Sequence, residues 1–182
     1  MSGVIRILSS IFLMRAAPQD LPYSRPLLTT LIGVHTFLGI AVAAIYYFPV
    51  QDGIRVAVFA SAARSALLIV EVGLALAVAS LGARFNQTLA ALLGLGIICD
   101  LMGIPLSLWF LAAAHAQIGV DIPILLSLLI VIWQLIVAGH ILRHAFSTGY
   151  PQGFALATLF FIVSYTVIRG IFPDSTDIPA GA

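Results

Sequence analysis

Four side chains inside apolar runs are the ones best placed to do chemistry: Arg64, Glu71, Asp100 and Tyr165. Arg64 and Glu71 share the run 54–81 and stand seven residues apart, close to two helical turns, so one stripe of a helix carries both. Asp100 lies in the next apolar run and Tyr165 in the last. At roughly 1.5 Å per residue, Glu71 and Asp100 fall about 18–21 Å from the arginine-rich ends of their runs, and Tyr165 about 21 Å. An ionisable group at membrane depth costs at least about 2.5–3.5 kcal/mol on insertion scales and turns toward protein or water. Two chemistries follow. In one, Arg64 neutralises one or both acids and fixes the register of a bundle, with Tyr165 and Ser127 donating hydrogen bonds. In the other, the acids carry protons or ions.

The histidines raise the question of haem. Axial ligands must face each other at one depth. His35 lies well inside the first run and His140 near the arginine-rich end of the fourth, an offset of roughly 8 Å. That spacing suits one haem poorly, and a b-type haem protein using His35 and His140 is the weakest of the functional readings. His140 and His144 stand four apart, but no carboxylate or cysteine accompanies them at a metal-site spacing. Neither a bound metal nor any cofactor is expected. No GxSxG, HExxH or glycine-rich phosphate loop before a Gly-Lys pair occurs, so no enzyme activity is expected either. Cys99 lies inside an apolar run and reads as a small buried side chain.

These residues need elements to hold them, and composition says which kind. The chain has 182 residues, 62% hydrophobic and 8% charged, with a mean hydropathy of +1.14. Soluble proteins carry about 25% charged residues, so most of this chain must take lipid as its solvent. A formal charge of +1 gives no ground for nucleic-acid binding. The fold class that follows is an all-α integral membrane protein. Five transmembrane helices are expected at 27–48, 54–81, 87–115, 122–143 and 154–172, each near the roughly 20 residues a bilayer needs.

Ahead of them, Val4, Ile7, Leu8 and Ile11 recur at helical spacing over 3–15, too short to span. That pattern predicts a short amphipathic helix lying in the membrane interface, retained rather than cleaved as a signal peptide. The segment AAPQDLPYSRP (16–26) breaks it with three prolines and presents Asp20 and Tyr23 on a stiffened backbone. Gly94, Gly96, Gly103 and Pro105 predict a kink or a close helix contact near Asp100. The domain plan is therefore 1–26 as interfacial helix and proline-rich connector, 27–172 as the membrane domain, and 173–182 as a polar tail.

Arginine placement sets orientation. With five spans, the side of the N-terminus (side A) carries Arg6, Arg15, Arg25, Arg84 and Arg143, while the opposite side B holds Arg55, Arg169, Asp52, Asp121, Asp174 and Asp177. The positive-inside rule places side A in the cytoplasm and the C-terminus outside.

The run IWQLIVAGHILRHAFSTGYPQGFALATLFFIVSY (132–165) joins a tryptophan-led helix, an arginine-bearing turn with Ser-Thr-Gly and a final apolar helix. It resembles the C-terminal helix pair of bacterial members of the Yip (Ypt-interacting protein) superfamily. QDLPYS (19–24) is similar to the Asp-Leu-Tyr-Gly-Pro type of motif that precedes the first span there, although it lacks the glycine. The resemblance implies five spans with a cytoplasmic N-terminus; eukaryotic members bind Rab-type GTPases and shape or traffic membranes. The expectation is a non-enzymatic scaffold or accessory subunit in contact with lipids and other membrane proteins. Its docking residues would be Asp20, Tyr23, Arg84 and Arg143. A small transporter or proton-conducting unit using Glu71, Asp100 and Arg64 is the alternative.

Overall fold

A computed structural model describes residues 2–48, 52–117 and 119–172. It contains six α-helices: α1 (Ser2–Phe12), α2 (Arg25–Tyr47), α3 (Gly53–Val78), α4 (Phe85–His115), α5 (Asp121–Phe146) and α6 (Tyr150–Ile171). Short 3-10 turns lie at Pro18–Asp20 and Gly82–Arg84, and no strand occurs among the described residues. Helices α2 to α6 are each long and apolar enough to cross a membrane. The protein is an all-α integral membrane protein with five such helices and a short helix before them. Residues 49–51, between the first two spans, and the tail 173–182, with Asp174 and Asp177, lie outside the described residues.

Local chemistry moves the helix ends from where hydropathy alone puts them. Helix α2 starts at Arg25 because the Ser24 hydroxyl accepts the Leu27 amide at 3.3 Å, and Pro26 fits the first turn. Helix α5 runs on to Phe146 and ends where Ser147 takes a left-handed conformation (φ 54°), with the Thr148 amide on the Arg143 carbonyl at 2.9 Å. Pro151 sits in the first turn of α6, so that helix begins four residues before Phe154. Helix α4 stays α-helical through Pro105.

Helix α4 is the centre of the molecule, touching α2, α3 and α5, while α6 packs on α5 and α3. The core gathers Val72 and Leu76 of α3, Leu89 and Leu93 of α4, and Val137, Ile141 and Leu142 of α5. Helices α5 and α6 approach closely at two glycines, where a Cβ on Gly153 would run into the Gly139 carbonyl. Facing outward are Leu125, Leu128, Leu129 and Ile132 of α5 and Leu159 and Ile162 of α6, a surface suited to hydrocarbon.

Helix α1 occupies the expected place in sequence, but α4 and α5 take up much of its apolar face. Ile11 is 2% exposed, Leu8 sits over Gly94, and the Phe12 ring meets Trp133 edge-on with centroids 3.7 Å apart. Gly94 is nine residues into α4, or about 14 Å at 1.5 Å per residue. The helix therefore leans into the α4–α5 groove below the helix ends. Met14, at φ 57°, reverses the chain, and Leu21 inserts into the core on the way back.

Candidate functional site

Asp100 is the hub of the polar interior. Nη2 of Arg64 donates to both its carboxylate oxygens, at 2.8 and 3.1 Å, and Nδ1 of His35 stands 3.5 Å from Oδ2. The Asp100 and His35 side chains are buried, whereas that of Arg64 keeps 39% of its surface exposed. The guanidinium balances the carboxylate, so the cluster carries no net charge when the imidazole is neutral.

Two glycines make the cluster possible. A Cβ at Gly39 would stand 2.9 Å from Nη2 of Arg64, and one at Gly96 would stand 2.7 Å from the His35 ring. Gly39 lies one turn beyond His35 on α2, and Gly96 one turn before Asp100 on α4. The absent side chains form the passage through which the guanidinium and the imidazole reach Asp100. A further α2–α3 bridge, Thr36 Oγ1 to Ser65 Oγ at 2.8 Å, lies beside it, and Tyr46 donates to Ser107 of α4 at 2.8 Å.

The other expected members lie elsewhere. The Ser164 hydroxyl reaches both Glu71 oxygens at 3.1 Å, and no cation pairs with Glu71 among the described residues. Tyr165 is 54% exposed and accepts from Nη1 of Arg169 at 2.6 Å. Ser127 turns back on the Pro123 carbonyl. The pair proposed for haem is separated too: His35 faces Asp100, and Nε2 of His140 stands 3.0 Å from the Ala16 carbonyl oxygen. Among the described residues no group of three or more His, Cys, Asp or Glu side chains could hold a metal ion.

Depth counted from helix ends hides His35 as a neighbour of Asp100. His35 is ten residues past Arg25 and Asp100 fifteen past Phe85, so their contact means that α4 projects about 7 Å further toward side A than α2. Glycines one turn from intramembrane polar residues were the available signal, in Gly39 with His35 and Gly96 with Asp100.

On side A the connector is pinned across α4 and α5. Nε2 of Gln87 donates to the Gln19 and Leu21 carbonyls at 3.1 and 2.8 Å, and Nε2 of Gln19 to the His144 carbonyl at 2.8 Å. Nη1 of Arg84 caps the end of α5 through the carbonyls of His144 (3.2 Å) and Ala145 (2.7 Å) and reaches Ser147 Oγ at 2.6 Å. Asp20 accepts the Ala17 amide at 2.8 Å and steadies its own turn. Of the four expected docking residues, Asp20 and Arg84 are thus engaged internally. Tyr23 is 66% exposed, and the Arg143 guanidinium lies 5.7 Å from the Tyr150 ring centre. Comparisons with family models, with curated proteins and with solved structures returned no match to this chain.

Proposed function

We propose that this protein is a non-enzymatic scaffold or accessory subunit of a bacterial inner membrane, with side A cytoplasmic and acting as its docking face. The observation that carries the reading is the pinned connector. Ordering a proline-rich segment against α4 and α5 through Gln19, Gln87 and His140 turns a linker into a fixed surface on which Tyr23 is exposed. A preformed surface loses little conformational entropy on binding. The resemblance to the Yip superfamily agrees with a partner-binding role. A photo-crosslinking residue at position 23, activated in native membranes, should give one discrete adduct with another protein. Adducts with lipid alone would end the scaffold reading.

A proton-conducting role is the second reading, and Glu71 favours it. Its carboxylate is half-buried on a spanning helix with only the Ser164 hydroxyl against it among the described partners. Proteoliposomes of the wild-type chain under a potassium diffusion potential should then conduct protons, and Glu71→Gln should stop the flux. No flux from the wild type removes this reading.

A further inference from the structure

A polar cleft of about 550 Å³ opens on side A between the α5–α6 turn and the connector, lined by Gln19, Arg143, His144, Ser147, Thr148 and Tyr150, with Gly149 at its edge. We propose that this cleft binds the phosphate of an anionic phospholipid headgroup, with Arg143 as its cation. This goes beyond the docking role and does not depend on it.

Arg143 is the residue that asks for a ligand. Its Nε is enclosed without an acceptor, and the side chain makes no hydrogen bond or ion pair among the described residues. Guanidinium groups offer five donors in a fork that matches phosphate oxygens. The Tyr150 ring, 5.7 Å away, holds the guanidinium in place without using those donors. Arg84 stands at the rim with its Nη1 on carbonyls and Ser147, so its charge too is unopposed by a carboxylate within ion-pair distance. Asp20, in the adjoining turn, accepts the Ala17 amide, and its charge reaches the cleft at His144, where the two arginines must outweigh it. Helix α6 starts at the cleft with Gly149 as an uncapped N-cap, and the positive end of its dipole adds to the field.

The position of Tyr150 points to a lipid rather than a free anion. Its hydroxyl donates to the Ile136 carbonyl, well inside α5, and its ring stacks on Phe154 with centroids 6.4 Å apart. Tyrosines near helix ends sit at the headgroup level, and this one turns its hydroxyl inward along α5. Arg143 above the ring then meets phosphate while the exposed Phe154 meets hydrocarbon. Basic pockets between membrane helices on the cytoplasmic side recognise anionic headgroups in this way.

The test is native mass spectrometry of the full chain released from nanodiscs of phosphatidylcholine mixed with phosphatidylglycerol. Wild type should retain one phosphatidylglycerol, enriched roughly tenfold over the bulk ratio, the factor that one charge-assisted contact supplies. Arg143→Gln should return retention to the bulk ratio, while Arg6→Gln keeps the enrichment. Should Arg143→Gln not fold, Thr148→Glu decides, because it leaves Arg143 in place and puts a carboxylate in the cleft; it too should lose the lipid. Enrichment that survives the folded Arg143→Gln or Thr148→Glu variant overturns the proposal. So does displacement of the lipid by inorganic phosphate at millimolar concentration, which would assign the cleft to a free anion.

Discussion

Among single residues, Asp100 and the side chains that converge on it tie three helices together. Removing the carboxylate leaves the Arg64 guanidinium, 39% exposed, without its counter-ion at membrane depth. Asp100→Asn should therefore lower the unfolding midpoint of the detergent-solubilised protein steeply, as read by circular dichroism on heating. An unchanged midpoint would mean that Arg64 finds another partner. Gly39→Val tests the passage itself, since its Cβ would crowd Nη2 of Arg64 at 2.9 Å and Ser61 Oγ at 3.3 Å. Overpacking of this kind costs about 1–3 kcal/mol, and the same thermal scan should show it. Arg64 and Asp100 were legible in the sequence because charge stands out in an apolar run. Their exclusive pairing was not, because Glu71 shares the stripe with Arg64 and only packing decides that it meets Ser164 instead.

At the scale of elements, the five long helices were legible from length and hydropathy, and the prolines and serines near their ends account for the shifts at Arg25 and Tyr150. The seating of α1 was not. An amphipathic stripe shows that one face seeks an apolar neighbour and leaves open whether that neighbour is lipid or protein. Here Gly94 opens a seat for Leu8, and Trp133 receives Phe12. The connector that follows depends on Gln87, whose two hydrogen bonds to backbone carbonyls contribute about 1 kcal/mol each. Gln87→Ala should free this segment, and trypsin should then cut after Arg15 roughly thirtyfold faster than in wild type. Equal cleavage rates would show that Gln87 does not hold it.

At the scale of the whole molecule, the helices form a membrane domain around α4 with one heavily hydrogen-bonded end. That end carries Arg25, Arg84 and Arg143, the ground for proposing that it faces the cytoplasm. In intact inverted and right-side-out vesicles, Ala83→Cys should label with a membrane-impermeant maleimide only from the cytoplasmic face and Ala116→Cys only from the other. Cys99 is buried and should stay silent in both. The reverse pattern would place side A outside and remove the basis for a cytoplasmic docking face.

On the proposed scaffold reading, the Asp100 cluster holds the bundle in register and side A is the face that would meet a partner. Replacing both charges at once, Arg64→Met with Asp100→Leu, separates the two roles, because a buried pair exchanged for apolar groups of similar volume is often neutral or stabilising. The measurement is the yield of the position-23 crosslink in native membranes for this double variant against wild type. If the cluster is structural, the double variant folds and the crosslink yield is unchanged. A double variant that folds to the same thermal stability yet loses the crosslink would contradict it, and would make the buried cluster part of the function.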